Sequence, residues 1–455
     1  MNPYEFMLPR LNGEDLEANI GPYIKLVRKG IAGFILFGGR LESVRDGLRE
    51  LQKKASLPLI IASDLERGLG QQVEGGTVFP WAMAFGSALK NGIEPQILKK
   101  AFRAVAREAK WAGINLILAP VLDINSNPAN PIIATRSFGE EPGIVSRLGT
   151  MMIREIQREG LMACGKHFPG HGDTSMDSHL GLPLIEKDLK ELERFELTPF
   201  KSAIKVNVKA IMTGHLKAPA LDPSGLPATL SKKTNSHLRK KMGFKGLIIT
   251  DAMNMAGLSM PEEKAAALAF KAGANVLLHP SEPDKMAAYL KRQKIQLRKN
   301  LLRKMRKDLL KVKTPVEPPS YKEHAALARE ISLKAIRVDG KIGPVKGRAV
   351  VILSDEAEKL NPFIREIGKT PSKGKILINP SGKLPSGDII AVVHSTPRAW
   401  HPPSEGLKEN IKRLSAIKPL WLSFGNPYLI YEEKNKILTY SDSEEVQREM
   451  GRKLI

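Results

Sequence analysis

Short apolar segments recur along the first part of the chain, and stretches with helical spacing of apolar residues lie between most of them. Each segment has the length of a strand, and several lack the polar–apolar alternation of a strand with one wet face. Eight such segments with mostly helical returns predict a (β/α)8 TIM barrel of parallel strands. The predicted strands are FMLPRL (6–11), AGFILFG (32–38), LPLIIASD (57–64), GINLILAP (113–120), LMACGKHF (161–168), KAIMTGHL (209–216), GLIITDA (246–252) and ANVLLHP (274–280).

Polar side chains stand at or just beyond the carboxyl ends of six of these predicted strands. In a parallel barrel those ends meet at one mouth, where catalytic groups gather. A single polar residue at a strand end is as often a cap or turn residue, but six strands in succession favour a common site. The residues are Asp64, Asp123, Lys166 with His167, His215, Asp251 and His279.

A second domain is predicted after the barrel. The proline-rich run VKTPVEPPS (312–320) cannot continue a helix and is typical of a linker. We therefore predict a barrel over 1–311 that ends in a basic helix, a linker over 312–323, and a small α/β sandwich over 324–455. The sandwich is predicted from helix 324–336 and from strand-like runs at 348–355, 375–379, 388–395 and 418–425.

The charge of the chain is strongly positive. Its 455 residues include 71 Lys and Arg against 48 Asp and Glu, a formal net charge of +23. The densest basic stretch, residues 291–313, has apolar residues at largely helical spacing and predicts a helix with one buried stripe and one basic face. Such a face is either simply solvated or a site for a polyanion. No basic run is interleaved with aromatic residues, so a nucleic-acid partner is not expected.

The composition also limits the classes of protein to which the chain can belong. No apolar run reaches the roughly 18 to 20 residues that a membrane span needs, and the first residues lack the pattern of a secretory leader. We therefore expect a cytoplasmic protein without a membrane span. The single cysteine, Cys164, excludes an internal disulfide, and its apolar surroundings in the sequence favour a core residue.

The densest group of chemically capable residues is KHFPGHGDTSMDSHLGLP (166–183), which continues from a predicted strand end into a loop rich in glycine. Its histidines lack the spacing of a helical H-E-x-x-H metal site, so no metal or cofactor is expected. A second candidate is Asp251 in TDAMNM, because a carboxylate at the end of a buried strand is costly unless it is used or bonded. An N-cap role for the following helix is an equal alternative for Asp251 taken alone.

These motifs together resemble those of one enzyme family. KHFPGHGDT…DSH, with FGEEP, TGHL, TDAMNMAGL and ASDLERG, is similar to glycoside hydrolase family 3, in the branch of β-N-acetylglucosaminidases that act on muropeptides and chitin fragments. The similarity extends from about residue 5 to about residue 280 and resumes in 327–340 and 422–430. The resemblance implies a retaining enzyme that releases terminal β-linked N-acetylglucosamine from carbohydrate substrates.

The resemblance also implies roles for individual residues. Asp251 matches the nucleophile of the family, and Asp177 with His179 matches the aspartate-assisted histidine that serves as acid/base in this branch. Residues that match positions holding the sugar are Asp64, Arg136, Lys166, His167 and His215. One departure stands out: where the family commonly has an arginine, this chain has Leu69, and its arginine is displaced to Arg67. The contact that this arginine makes on the aglycone side is therefore in doubt.

Two other functions remain open at this stage. The same fold also carries β-glucosidases, β-xylosidases and phosphorylases, in which phosphate replaces water. The D-S-H triplet argues against the glucosidase branch but not against phosphorolysis. A catalytically silent, basic protein that binds polyanions is the alternative from another class, because a fold alone does not fix a function.

Overall fold

The computed structural model describes residues 2–174, 182–255, 258, 260–295, 299–312, 315–340, 349–369, 375–381, 388–395 and 403–454. The chain divides into two compact units. The first comprises Met1–Phe79, Lys99–Asn127 and Glu140–Ala325, and the second comprises Pro80–Leu98, Pro128–Gly139 and Ala326–Ile455. Two segments that lie between barrel segments in sequence, 80–98 and 128–139, thus belong to the second unit.

The described strands form two sheets, one in each unit. In chain order the strands of the first unit are β1 (Met7–Leu8), β2 (Arg10–Asn12), β3 (Gly33–Phe37), β4 (Ile60–Ser63), β5 (Leu116–Ile117), β6 (Met162–Phe168), β7 (Ala210–Thr213), β8 (Leu247–Ala252) and β9 (Val276–Leu278). Those of the second unit are β10 (Arg337–Asp339), β11 (Ala349–Leu353), β12 (Ile376–Ile378), β13 (Ile389–Ser395), β14 (Leu420–Gly425) and β15 (Lys436–Leu438).

The sheet of the first unit closes on itself through its first strand. The sequence predicts one strand over 6–11, but the structure divides it at Pro9 into β1 and β2. β1 pairs with β9 and β2 pairs with β3, and both pairings are parallel. Because only Pro9 separates the two halves, they occupy one of eight positions around a ring of parallel strands. This is the closure of a (β/α)8 barrel.

Buried strands of this kind need close contact between neighbouring backbones. All seven residues of β6 and all four residues of β4 and of β7 are buried, which explains why these strands lack a regular alternation of polar and apolar residues. Gly33 opens β3 for a steric reason, because a Cβ atom there would lie 1.8 Å from the carbonyl oxygen of Ile60. Any side chain at this position would push β3 away from β4.

Helices return the chain between the strands. In chain order the described helices are α1 (Asp15–Ala18), α2 (Gly21–Arg28), α3 (Leu41–Lys54), α4 (Ala82–Lys90), α5 (Pro95–Ala112), α6 (Pro142–Arg158), α7 (Leu189–Arg194), α8 (Leu197–Lys205), α9 (Lys232–Ser236), α10 (Glu262–Ala272), α11 (Pro283–Arg292), α12 (Lys299–Asp308), α13 (Tyr321–Lys334), α14 (Asn361–Ile367), α15 (Glu405–Ser415) and α16 (Glu444–Leu454).

The basic stretch 291–313 is not the single helix that its spacing predicts. α11 ends at Arg292, and Lys294 has a φ of +49°, outside the helical range. α12 then forms a separate helix. Leu302 is buried, whereas Leu310 is 72% exposed. The buried stripe is therefore shorter than the pattern indicates, because α12 ends at Asp308 and Leu310 lies in the 3-10 turn that follows it.

The second unit is a smaller α/β structure around a mixed sheet. Its strand order is β10-β15-β14-β13-β11-β12, with β10 antiparallel to β15 and the other neighbours parallel. Strands β11, β13 and β14 are buried almost throughout. The side chains of its apolar core come from these strands, from α14 and α16, and from the turn before α14, and include Val350, Ile352, Leu360, Phe363, Ile390, Val392, Leu422, Phe424, Val446 and Met450.

The fold class predicted from the sequence, a TIM barrel followed by a smaller α/β domain, is confirmed. The helices that the structure describes include none that is both long enough and apolar enough to cross a membrane.

Candidate active site

The carboxyl ends of four barrel strands, β4, β6, β7 and β8, carry most of the predicted site residues. Asp64 directly follows β4, and Lys166 and His167 belong to β6. His215 follows β7 by two residues, and Asp251 lies near the end of β8. Because all these strands are parallel, their ends lie on the same side of the barrel. The structure therefore brings these five predicted residues to one mouth.

Lys166 is the buried cation of this mouth. Its side chain is 2% exposed, and its Nζ donates to Oδ1 of Asp64 at 2.6 Å and contacts Oε1 of Glu66 at 2.7 Å. Burying an ammonium group requires such partners, since an unpaired charge there is costly. Asp64 keeps 27% of its side chain exposed, whereas Glu66 keeps 6%. Asp64 is thus the more accessible of the two carboxylates, whereas Glu66 holds the ammonium group of Lys166 inside the protein.

Glu66 was not among the predicted site residues. The signal for it was its place two residues after Asp64 in the segment ASDLERG. The local pattern could not identify its partner, because Lys166 is one hundred residues further along the chain.

Asp123 holds two histidine segments in place. Its fully buried carboxylate accepts hydrogen bonds from the backbone N–H groups of His167 and His171. It also lies 2.7 Å from Nδ1 of His167. An ionised carboxylate can only accept, so Nδ1 carries the proton and Nε2 is left without one when the ring is neutral. The sequence placed Asp123 at a strand end, but its role as the anchor of His167 emerges only from the fold.

These same bonds keep Asp123 ionised. Burial by itself raises the pKa of this carboxyl group, but the attraction and hydrogen bond of His167, together with His171, outweigh that effect. Its pKa therefore lies below the usual value.

Asp251 is a partly exposed, ionised carboxylate. Burial by itself raises its pKa, but the imidazoles of His167 and His215 and the N–H group of Ala252, which donates to Oδ1 at 2.8 Å, outweigh this effect. Lys166 also contributes, and the pKa of Asp251 lies below its ordinary value. A carboxylate that stays ionised and accessible can act as a nucleophile or stabilise a positive charge.

Asp251 does not serve as the N-cap of the next described α-helix. That helix, α10, begins at Glu262 and is preceded by Pro261.

His215 lies fully buried beside Asp251. Its Nδ1 is 2.9 Å from the hydroxyl oxygen of Thr229, and its Nε2 is 3.0 Å from the carbonyl oxygen of Ala252. A carbonyl oxygen only accepts, so Nε2 carries a proton and points at the strand that delivers Asp251. This hydrogen bond connects His215 to the backbone of the residue that follows Asp251.

The described residues on both sides of segment 175–181, which contains Asp177 and His179, are held by other parts of the first unit. Before it, Asp173 accepts a hydrogen bond from Ser126 and lies 3.3 Å from Nζ of Lys187. After it, the N–H group of Ile185 donates to the carbonyl oxygen of Lys217, beyond β7. Residues 175–181, and with them Asp177 and His179, lie outside the described residues.

Arg136 belongs to the second unit, in segment 128–139. Its guanidinium donates to the carbonyl oxygen of Ile132 at 3.3 Å. In the first unit, the displaced Arg67 donates from Nε to the carbonyl oxygen of Phe79 at 3.1 Å, and Leu69 is fully buried. Leu69 therefore fills a core position, and the guanidinium of Arg67 contacts the backbone of its own segment.

No group of three or more His, Cys, Asp or Glu side chains is placed to hold a metal ion among the residues that the structure describes.

The buried imidazole of His171 should make the stability of the folded chain depend on pH. Its complete burial lowers the pKa of the imidazole from 6.5 to about 4, although the Asp123 carboxylate partly offsets this effect. Between these values the unfolded chain binds the proton and the folded chain does not. Stability contributed by the neutral ring is thus complete above pH 6.5 and is lost as the pH falls toward 4, by about 3 kcal/mol.

The check is denaturant unfolding of the wild type and of His171→Gln across this pH range. The difference in free energy of unfolding between them should change with pH by about 3 kcal/mol. Two curves that stay parallel would contradict the assignment.

The family model described as glycosyl hydrolase family 3 N terminal domain matches residues 24–306, more than half of the chain. The barrel described above agrees with this match. The chain belongs to glycosyl hydrolase family 3.

Several known proteins are similar to it. Beta-hexosaminidase A of Pseudoalteromonas piscicida is 36% identical over 277 residues, which cover 56% of this chain and 46% of that protein. A beta-hexosaminidase of Neisseria meningitidis serogroup C is 32% identical over 271 residues, covering 57% of this chain and 74% of that protein. This chain therefore spans less than half of the first relative and about three quarters of the second.

A solved structure is similar over nearly the whole chain. It is that of a glycoside hydrolase family 3 beta-N-acetylglucosaminidase from Paenibacillus sp. str. FPU-7, with a TM-score of 0.82 and 27% identity, covering 99% of this chain and 95% of that one. The fold of this chain is thus shared over nearly its whole length by a member of the family.

Proposed function

We propose that this protein is a retaining β-N-acetylglucosaminidase that removes terminal β-linked N-acetylglucosamine from muropeptides or related glycosides. The observation that carries the proposal is the ionised, accessible Asp251 beside the Lys166–Asp64 pair in the mouth of a family 3 barrel. The names of the relatives, beta-hexosaminidase and beta-N-acetylglucosaminidase, support the choice of an acetamido sugar.

The first chemical step is assigned to Asp251 and His179. A carboxylate oxygen of Asp251 attacks the anomeric carbon while the bond to the leaving oxygen breaks. His179 gives its proton to that oxygen, and Asp177, two residues away, stabilises the imidazolium before transfer. The product is a covalent glycosyl-enzyme ester, as in other retaining glycosidases.

The second step reverses these roles. Neutral His179 takes a proton from water, whose oxygen attacks the anomeric carbon and displaces the Asp251 carboxylate. An imidazole with an unperturbed pKa near 6.5 can both give and take a proton near neutrality. The anchors on both sides of segment 175–181, at Asp173 and Ile185, support a role for this loop at the same mouth.

The polar groups around Asp251 are suited to holding a sugar ring. Asp64 offers carboxylate oxygens that can accept from hydroxyl groups, and the ammonium group of Lys166 can donate to them. His167, with its proton fixed on Nδ1 by Asp123, presents Nε2 as an acceptor. We assign His215 to the support of Asp251, and the sugar contact that the resemblance implies for Arg136 stays a prediction.

The test compares aryl β-N-acetylglucosaminide with aryl β-glucoside, each with and without inorganic phosphate. We expect selective turnover of the acetamido sugar at a rate that phosphate does not change. Preference for the glucoside would reject the substrate class. Turnover that requires phosphate and yields a sugar phosphate would identify a phosphorylase instead.

The acid/base assignment is tested in the same assay with His179→Ala. The rate on an aryl glycoside with a poor leaving group should fall by about 10² to 10⁴. A substrate with an activated leaving group should lose less in the first step, since it needs no proton. Equal loss of kcat/KM, which reports the first step, on both substrates, or no loss on either, would exclude His179 as the proton donor.

A further inference from the structure

Two neighbouring barrel helices, α5 and α6, are joined by a ladder of ion pairs. Arg103 pairs with Glu155 at 2.6 Å, and Arg107 pairs with Glu159, the residue that directly follows α6, at 3.1 Å. Both pairs join residues 52 positions apart. Successive rungs lie four residues apart on each helix, which is about one turn. The two helices therefore run parallel in a fixed register.

The next rung toward the start of both helices lacks its acid. The register places Lys99 of α5 opposite Met151 of α6, because they precede Arg103 and Glu155 by four residues each. Lys99 and Met151 line the same cavity. A glutamate at position 151 would continue the ladder, but the thioether carries no charge. Within the described part of the chain, no carboxylate forms an ion pair with Lys99.

The cavity at this rung has a volume of about 320 Å³ and a positive lining. This volume is at the lower end of the range for small-molecule sites. Four of the lining residues are cationic and one, Glu155, is anionic. That carboxylate is already bonded to both Arg103 and Arg158. The lining residues are Lys99, Arg147, Thr150, Met151, Arg154, Glu155 and Arg158.

The arginines of α6 stand on one face of the helix. Arg147, Arg154 and Arg158 follow at intervals of seven and four residues, close to the helical repeat. Like charges at such spacing repel one another. Among the residues that the structure describes, no acid forms an ion pair with Arg147 or Arg154. The cavity thus gathers cations for which this part of the chain supplies too little negative charge.

We propose that this cavity binds a phosphate-type oxyanion, either inorganic phosphate or the phosphate of a small organic monoester. The oxyanion takes the place of the carboxylate that is missing at position 151. Guanidinium groups suit this ligand, because their paired N–H donors match the geometry of two phosphate oxygens. Lys99 adds a point charge from the opposite helix. The lining residues belong to helices, whereas the residues assigned to catalysis stand at strand ends and in a loop, so the site is separate from the sugar pocket.

The experiment is titration calorimetry of the full chain with inorganic phosphate and, separately, with glycerol phosphate. We expect one ion per chain, with binding that weakens as salt is raised. Arg154→Gln should weaken binding about tenfold or more, the loss expected for one charge-assisted contact. Met151→Glu should abolish binding, because the new carboxylate pairs with Lys99 and fills the vacant rung. Tighter binding of glycerol phosphate than of phosphate would identify the monoester as the ligand.

Two matched variants separate a local site from the overall charge. Met151→Gln introduces a side chain of similar length without charge and should keep binding. Lys304→Gln removes one exposed positive charge from α12, as Arg154→Gln does from α6, and should also keep binding. Absence of binding in the wild type, binding that survives Met151→Glu, or equal weakening by Lys304→Gln would each overturn the proposal. Phosphate bound in the sugar pocket would survive Met151→Glu and is thereby distinguished.

Discussion

Replacing Asp251 with asparagine is expected to lower kcat on an aryl β-N-acetylglucosaminide by about 10⁴ or more, because the amide cannot form the glycosyl ester. Asparagine has nearly the same shape, and its side-chain oxygen can still accept the N–H of Ala252. The fold should therefore persist, and circular dichroism with thermal unfolding checks this. The measurement is steady-state kinetics of both proteins with the same substrate.

A chemical test locates the nucleophile directly. An activated fluoro-sugar should form a stable ester with the wild type, and mass spectrometry of peptides should find the added mass on Asp251. The asparagine variant should remain unlabelled. Asp222→Asn is a suitable control, because Asp222 accepts from Ser231 and Ser224 and takes no part in the proposed reaction. Labelling of any other carboxylate would identify that residue, and not Asp251, as the nucleophile.

Asp123→Asn is expected to reduce the free energy of unfolding by about 3–5 kcal/mol. The carboxylate is fully buried and accepts from the backbone of two histidine residues and from Nδ1 of His167. An amide would turn one acceptor into a donor that faces N–H groups. We also expect kcat to fall by about 10- to 100-fold, as for other residues that orient groups in a site. Denaturant unfolding and kinetics at low temperature measure the two effects.

Glu108→Gln provides the matched control for Asp123. Glu108 is also a fully buried carboxylate of the first unit, and it accepts from the N–H and hydroxyl groups of Thr77 and pairs with Nδ1 of His324 at 2.6 Å. Its replacement should cost a similar amount of stability but leave kcat per folded molecule near the wild-type value. If both variants changed kcat equally, Asp123 would have only a structural role and no specific role in orienting His167.

Much of the barrel could be predicted because its signals are local. The run LMACGKHF predicts a buried strand, and β6 covers Met162–Phe168 with every residue buried. Polar residues that end such strands must share one mouth, since parallel strands allow no other arrangement. Asp64, Lys166, His167, His215 and Asp251 were predicted to share this mouth in this way, and the structure places them there.

Other features were not predictable from local patterns. The division of the first strand at Pro9 depends on two different neighbours, β9 and β3, which pair with its two halves. The helix predicted over 291–313 is interrupted by a left-handed residue, Lys294, that the spacing of apolar residues does not register.

The sequence by itself determined the strand order of a parallel barrel, the family, and the residue types that reach its mouth, because apolar periodicity and short motifs are encoded within a few neighbouring residues. Only the tertiary structure decided how the charges are paired. Lys166 between Asp64 and Glu66, Asp123 beneath His167, and Lys99 opposite Met151 each depend on distances between segments far apart in the chain. The physical reason is that the free energy of a buried charge depends on the groups around it, and these are assembled only when the chain has folded.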